Sequence, residues 1–129
     1  MVVLDTDILV GYVRGNRPDI AYLQSLIERN YQVKTTAITA CEIFRGRDQG
    51  SIKGCEKVEQ LIQVMDVLPL DLKSAFLFRE LFHSLAKKGI AVGDFDLMIA
   101  AIALANGESL ATRNVGHFLK VPGLTLARL

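Results

Sequence analysis

Short runs of β-branched and aliphatic residues alternate along this chain with longer segments whose apolar residues recur at helical spacing. Such short runs are typical of strands buried inside a sheet, whereas an apolar stripe such as that of Leu72–Ala86 predicts an amphipathic helix. Strands that alternate with helices predict an α/β fold, here a parallel sheet of four or five strands with helices on both faces. The predicted strands are Val2–Leu4, Val33–Thr36, Val67–Pro69 and Ser109–Ala111, with Leu124–Leu126 as a candidate fifth.

The helices between these strands differ in how much of their surface is apolar. A first helix is predicted from Ile8 to Gly15, after the N-cap residue types of Asp5–Asp7. Another helix is predicted to open at Thr39, and the polar, glycine-rich stretch Gly46–Gly54 that follows it is predicted to be a loop. Leu97–Ala105 is apolar nearly all round, so we expect that helix to be buried on both sides.

Composition limits the class of protein. At 129 residues, 50% of them hydrophobic and 22% charged, the chain is expected to form one compact domain, residues 1–129. No apolar run reaches the roughly 18 residues that cross a bilayer. The chain begins directly with the apolar run Val2-Val3-Leu4, without a charged n-region or a long apolar h-region, so we expect no signal peptide. Cys41 and Cys55 fit neither a disulfide framework nor a zinc site, and we expect both to be small buried side chains. These features predict a cytoplasmic protein that does not enter a membrane.

Acidic or amide side chains lie at the ends of apolar runs in four distant parts of the chain. Asp5 follows the first strand, Glu42 lies early in the helix after the second, Asp96 precedes the Leu97 helix, and Asn114 follows the fourth strand. Because the carboxyl ends of parallel strands meet at one edge of a sheet, we expect these side chains to converge there. Converging oxygen ligands repel one another unless a hard cation lies between them. The pattern therefore predicts a divalent-metal site and metal-assisted chemistry on a phosphate ester.

Each of these residues also has a purely structural interpretation. Asp5 can cap the helix that follows it, and Thr39-Ala-Cys-Glu42 has the form of a capping box, in which the glutamate bonds to the backbone of the cap. Asp94 and Asp96 can both stabilise the dipole of the helix they precede. We expect Asp94 to act nearer the cap and Asp96 to point into the cleft. Asn114 can belong to an ordinary polar turn.

Three arginines are candidates for contact with a polyanion. The net charge is only +1, so a protein of this composition that handles nucleic acid must use a local basic patch. Arg45 and Arg47 lie just beyond Glu42 and beside the glycine-rich stretch, and Arg113 can donate a phosphate contact. His117 is expected to be a turn or helix-cap histidine rather than a metal ligand, because a magnesium-type site favours oxygen.

Four segments, taken in order, match a known pattern. They are Val3-Leu4-Asp5-Thr6, Thr39-Ala-Cys-Glu42-Ile-Phe-Arg45-Gly46, Asp96-Leu-Met-Ile-Ala-Ala101, and Leu110-Ala-Thr112-Arg113-Asn114 followed by His117-Phe118. Each segment is weakly specific alone, but the four together extend over essentially the whole chain. With them the chain resembles the PIN-domain ribonucleases, and within that family the VapC-type toxins of prokaryotic toxin–antitoxin pairs. The resemblance implies a PIN-like three-layer α/β/α fold.

The resemblance also implies an endoribonuclease that uses Mg²⁺ or Mn²⁺, commonly against structured RNA such as tRNA. Carried over by position, the catalytic residues are Asp5, Glu42, Asp96 and Asn114, of which Asp5 and Asp96 would hold the metal, and the supporting residues are Thr6, Asp94 and Thr112. The family position of Asn114 is often aspartate, so this chain carries less negative charge there. Members of the family usually form homodimers and are inhibited by a small antitoxin protein that inserts a segment at the active site.

Two other functions remain open at the level of sequence. Leu4-Asp5-Thr-Asp7 is similar to the opening motif of haloacid-dehalogenase-like phosphatases, in which Asp5 would be the phosphoryl-accepting nucleophile. In that family a glycine usually follows this motif, whereas this chain has Ile8, and Glu42 would have no role. Alternatively, the chain is a catalytically inert module that keeps the fold and contacts RNA or a partner protein, as the amide of Asn114 would allow.

Overall fold

The structure is a computed structural model that describes residues 1–46 and 52–128, with the backbone alone at 46 and 52–55. Four parallel strands form one sheet in the order β3-β2-β1-β4. The strands are β1 (Val2–Leu4), β2 (Val33–Thr36), β3 (Asp66–Leu68) and β4 (Ser109–Ala111). In the candidate fifth strand, Leu126 makes an isolated parallel bridge with Leu110. The predicted α/β fold with a parallel sheet is confirmed, with four strands.

Helices cover both faces of the sheet. They are α1 (Thr6–Val13), α2 (Arg17–Glu28), α3 (Ala37–Gly46), α4 (Ile52–Val64), α5 (Leu72–Lys87), α6 (Asp94–Ala105) and α7 (Val115–Phe118). Successive side chains of a strand point to opposite faces, and β1 follows this rule. Val3 packs with apolar residues of α5 and α6, whereas Val2 and Leu4 pack with apolar residues of α1, α2 and α4. The result is the three-layer α/β/α arrangement.

Helix α6 is buried on nearly all sides, as its composition predicts. Leu97 and the run Ile99–Ala103 are all buried, because the helix packs against both α5 and the sheet. Packing on two sides fixes the position of the first turn, which carries Asp96. No helix in the described part of the chain is both long and apolar enough to cross a membrane.

Several predicted boundaries move by two or three residues. Helix α1 begins at Thr6 rather than Ile8, because Asp5 caps it through its side chain. Helix α3 begins at Ala37, before Thr39. The predicted loop Gly46–Gly54 is shorter than expected, since α4 already begins at Ile52, and residues 47–51 lie outside the described part of the chain.

The expected burial of the cysteines is wrong for Cys41. This residue lies on the outer surface of α3, where its side chain is exposed as a free thiol. The side chain of Cys55 lies outside the described part of the chain. Small size and low polarity therefore did not place Cys41 in the core, since the helical face on which it lies is turned away from both apolar clusters.

Candidate active site

An open pocket lies where β1 and β4 end. In the strand order β3-β2-β1-β4, the chain continues from β1 to β2 on one side and reaches β4 on the other. The carboxyl ends of β1 and β4 therefore form a topological switch point, where parallel sheets of this kind bind ligands. The pocket has a volume of about 520 Å³ and is lined by Asp5, Thr6, Asp7, Val10, Glu42, Asp96, Arg113 and Asn114. Four carboxylates and one guanidinium therefore share a single pocket.

Asp5 lies deepest in this pocket. Its backbone N–H donates to the carbonyl of Ala111 at 2.9 Å, which extends the pairing of β1 with β4. Only 6% of the residue is exposed. Oδ1 accepts a hydrogen bond from the backbone of Thr6 at 2.8 Å, and Oδ2 accepts one from the hydroxyl of Thr112 at 2.8 Å. Asp5 therefore caps α1 with one oxygen, which confirms its structural interpretation, and keeps a second oxygen at the pocket. Its role as a metal ligand stays a prediction.

Burial raises the pKa of Asp5 from 3.8 to about 7. The hydrogen bond from Thr112 opposes this rise, and the negative charges of Asp7 and Asp96 add to it. A carboxylate in this position is more stable when a cation lies beside it, because burial removes the water that would otherwise solvate its charge.

Glu42 enters the pocket from α3. Thr36 caps this helix, since its hydroxyl accepts a hydrogen bond from the backbone N–H of Thr39 at 3.0 Å. The capping-box interpretation of Glu42 is therefore wrong, because the backbone group it would cap lies inside the helix and another cap is present. Instead, Glu42 Oε1 accepts a hydrogen bond from the hydroxyl of Thr6 at 2.9 Å. A side chain adjacent to Asp5 thus orients a carboxylate from another element.

Asp96, Asn114 and His117 form a second polar group at the pocket. The amide Nδ2 of Asn114 lies 3.4 Å from Asp96 Oδ2 and 2.8 Å from His117 Nδ1, and the imidazole Nδ1 lies 3.3 Å from the same Asp96 oxygen. His117 lies in the last turn of the short helix α7. The sequence interpretation of His117 as a helix-end residue is compatible with this position, but it missed the contact with Asp96.

The supporting residues differ in their surroundings. Thr112 is buried, donates to Asp5 and accepts the backbone N–H of Asn114 at 3.0 Å, so it links two elements of the site. Asp94 is the first residue of α6 and is exposed, and it does not line the pocket. Its side chain does not cap α6. A supporting role for Asp94 stays a prediction.

The candidate RNA-contacting arginines Arg45 and Arg113 have different surroundings. Arg45 is exposed, and its guanidinium lies 4.9 Å from the centre of the Phe95 ring, at the end of α6 that carries Asp96. Arg113 is paired with Asp19 of α2. Arg47 lies outside the described part of the chain.

Two acidic residues, one that lines the pocket and one that is paired with Arg113, had little sequence signal. Asp7 Oδ2 accepts a hydrogen bond from the backbone N–H of Arg113 at 3.1 Å, and its Oδ1 is buried without a partner in the described part of the chain. Burial raises the pKa of Asp7. Asp19 lies in the first turn of α2, and nothing local indicates a partner 94 positions later.

The oxygen donors at this pocket suit a hard divalent cation. Among the described residues, no three His, Cys, Asp or Glu side chains are close enough together to form a ready-made metal cluster. Mg²⁺, however, is usually held by one or two carboxylates, with waters and substrate phosphates completing its coordination. Asp5 and Asp96 fit this requirement, because they line one pocket and the negative charge of Asp96 contributes to the raised pKa of Asp5.

Comparison with known proteins gives a consistent result. The model of the PIN domain family matches residues 2–124. The chain is 30% identical over 125 residues to the ribonuclease VapC1 of Haemophilus influenzae, covering 95% of this chain and 92% of that protein. It is 27% identical over 127 residues to the tRNA(fMet)-specific endonuclease VapC of Salmonella typhimurium, covering 96% of this chain and 94% of that protein.

A solved structure has the same fold. The structure of VapBC2 from Rickettsia felis, bound to a DNA fragment from its promoter, contains a chain that superposes with a TM-score of 0.87 at 26% identity. The match covers 100% of this chain and 99% of the other.

Proposed function

Because the chain belongs to the PIN-domain family, and within it to the VapC ribonucleases, we propose that it is a Mg²⁺- or Mn²⁺-dependent endoribonuclease of a toxin–antitoxin pair. Its substrate in this proposal is structured RNA, with tRNA as the first class to test, since one relative is a tRNA(fMet)-specific endonuclease. The observation that carries the proposal is the convergence of Asp5, Glu42, Asp96 and Asn114 on one pocket from separate elements.

Asp5 and Asp96 are the residues that would hold the metal ion. When bound, such an ion supplies positive charge to the scissile phosphate and makes a water molecule more acidic. Glu42, oriented by the hydroxyl of Thr6, would accept a proton from the attacking water. Asn114 Nδ2 donates towards Asp96 Oδ2, which orients that carboxylate without adding negative charge.

Binding of RNA requires positive charge outside this acidic pocket. Arg45 is the best candidate in the described part of the chain, because it is exposed and lies over Phe95, one residue from Asp96. A guanidinium in that position can contact a phosphate next to the scissile one. Arg47 is proposed for the same role on sequence grounds.

A second protein is part of the proposal. The Rickettsia felis chain with the same fold was solved as part of VapBC2. We propose that a small cognate antitoxin holds this protein inactive. We further propose that the chain is a single domain, acts in the cytoplasm, where its RNA substrates are, and forms a homodimer.

The proposal is tested by incubating the purified protein, freed of any bound antitoxin by denaturation and refolding, with total tRNA and rRNA. The reactions contain Mg²⁺, Mn²⁺ or EDTA, and Asp5→Asn and Asp96→Asn are run beside the wild type. Asp66→Asn is the matched control, because Asp66 is an exposed carboxylate at the start of the outer strand β3. Asp94→Asn, run in parallel, tests the supporting role of that residue.

Discrete fragments that require metal, persist with Asp66→Asn and disappear with both site variants would support the proposal. Fragments that persist with Asp5→Asn and Asp96→Asn would contradict it and indicate a contaminating nuclease. RNA binding that falls with salt but leads to no cleavage with either metal would favour the inert binding module.

The phosphatase alternative is disfavoured by the other residues of the pocket. That function gives no role to Glu42 or Asn114, yet both line the pocket together with Asp5. Hydrolysis of a small phosphate monoester without any cleavage of RNA would revive that alternative.

A further inference from the structure

Arg113 is held at both its backbone and its side chain by the α1–α2 hairpin. Its backbone N–H donates to Asp7 Oδ2 at 3.1 Å. Its guanidinium Nη2 donates to Asn16 Oδ1 at 3.0 Å and forms an ion pair with Asp19 Oδ2. Asn16 also caps α2, since the same oxygen accepts the backbone N–H of Asp19 at 3.2 Å. One guanidinium therefore joins the loop after β4 to the start of α2.

Asp19 is unusual in being a buried carboxylate, with only 3% of the residue exposed. A buried charge is strongly unfavourable unless an opposite charge and hydrogen bonds compensate for it. Arg113 is its ion-pair partner in the described part of the chain. The side chain of Arg113 is 40% exposed. Solvent therefore reaches the arginine of this ion pair, whereas the aspartate is buried.

Gly11 makes this pair sterically feasible. A Cβ atom at this position of α1 would overlap Asp19 Oδ2, would lie 2.8 Å from Asp19 Cγ and would lie 3.2 Å from Arg113 Nη2. Only glycine leaves room for the carboxylate to pass α1 and reach the guanidinium. Gly11, Asp19 and Arg113 come from different parts of the fold, and each has the size or charge that the other two require. A chance contact between surface side chains would not need such a match.

The segment held in this way carries two residues of the active site. Thr112 precedes Arg113 and donates to Asp5 Oδ2 at 2.8 Å. Asn114 follows it and lies 3.4 Å from Asp96 Oδ2. The segment is short and makes a tight turn, because the backbone N–H of Asn114 donates to the hydroxyl of Thr112. A displacement of Arg113 would therefore move both neighbours relative to the carboxylates.

We propose that Asp19 and Gly11 are positioning residues, which act through Arg113 to hold Thr112 and Asn114 against the acidic pocket. In this proposal the guanidinium of Arg113 serves the ion pair and is not a phosphate contact for RNA. The catalytic part of the proposal rests on the proposed nuclease function, whereas the effect on the order of the segment does not.

The test compares Asp19→Asn, Arg113→Met and the double variant with Arg29→Met. Arg29 is an exposed arginine at the other end of α2, so its replacement removes the same charge without touching the pair. Single-turnover cleavage at saturating RNA and RNA affinity in Ca²⁺ are measured separately. Arg113→Met leaves the buried Asp19 without its ion-pair partner, and Asp19→Asn leaves Arg113 with a neutral partner. Because both changes can lower stability, all assays are run well below each variant's melting temperature.

We expect each single variant to cleave on the order of 10- to 100-fold more slowly, as small misplacements of catalytic groups do, with RNA affinity within about twofold of wild type. The double variant should be no slower than the slower single variant, since both remove one interaction. A different result would overturn the proposal and make Arg113 an RNA contact. In that case Arg113→Met would bind RNA more weakly, and the slope of its log affinity against log salt concentration would be smaller by about 0.7 to 0.9. Asp19→Asn would meanwhile cleave at the normal rate.

Hydrogen exchange provides a readout that does not depend on activity. Asp19→Asn and Gly11→Ala should accelerate exchange of the Arg113 and Asn114 amides, while buried amides of α6 keep wild-type rates. Uniform acceleration throughout the chain, or none at Asn114, would overturn the positioning role. If wild type cleaves no RNA but this local effect is present, the nuclease function fails while the structural link stands.

Discussion

Replacement of Asp5 by asparagine is expected to stabilise the metal-free protein at neutral pH while removing its activity. The cause is the pKa of Asp5, which burial raises from 3.8 to about 7. A carboxyl group whose pKa is raised in the folded state binds its proton more tightly there than in the unfolded chain. Its favourable contribution is therefore complete below pH 3.8 and is lost progressively as the pH rises from there to about 7.

The size of the effect follows from the size of the shift. At about 1.4 kcal/mol per pKa unit, the shift corresponds to a loss of roughly 4 kcal/mol in the free energy of unfolding once Asp5 is ionised. Asparagine cannot be ionised but has one acceptor oxygen instead of two, so one hydrogen bond, from Thr6 or Thr112, is weakened at a cost of about 1 kcal/mol. We expect Asp5→Asn to equal wild type near pH 4.5 and to exceed it by about 3 kcal/mol near pH 8.

Urea unfolding of both proteins in EDTA, at several pH values between about 4.5 and 8, measures this difference directly. Titrations of the other acidic groups occur in both proteins and largely cancel in the comparison. Asp66→Asn is the control, because its side chain is exposed. A difference between Asp5→Asn and wild type that does not change with pH would refute the reasoning. Addition of Mg²⁺ near pH 8 should stabilise wild type and leave Asp5→Asn unchanged, since only the charged carboxylate gains from the cation.

Other predictions concern residues around this carboxylate. Thr6→Val removes the hydroxyl that orients Glu42 and should slow cleavage about tenfold or more, the equivalent of a hydrogen bond to a charged group, whereas Thr6→Ser should retain most activity in the same single-turnover assay. Arg45→Ala should weaken RNA binding and lower its salt slope by about 0.7 to 0.9, measured by fluorescence anisotropy; an unchanged slope would exclude a phosphate contact. Thr35→Val leaves the carbonyl of Leu4 without the hydroxyl that bonds it at 3.0 Å and should cost about 1–3 kcal/mol in urea unfolding, with cleavage rate unchanged below the midpoint.

The sequence was most informative where the signal is local. Helix α6 was predicted to be buried on both sides from its composition alone, because a helix that is apolar all round has no face to leave in water. The strands of the sheet were predicted because short runs of β-branched and aliphatic residues are typical of buried strands. Boundaries were less certain: α3 begins at Ala37 because the hydroxyl of Thr36 caps it, and several hydroxyl residues in that stretch were equally suitable caps.

The sequence by itself determined that the chain forms a parallel α/β sheet, that Asp5 and Asn114 follow strands, and that Asp94 and Asp96 lie at the start of a helix. Those properties depend on the periodicity and chemistry of neighbouring residues, so they can be read along the chain. Only the tertiary structure decided that Glu42 accepts its hydrogen bond from Thr6 rather than from its own helix, and that Arg113 is paired with Asp19. Such partners are chosen by the packing of whole elements, here 36 and 94 positions apart, and no local pattern encodes which distant side chain will occupy the space next to a given group.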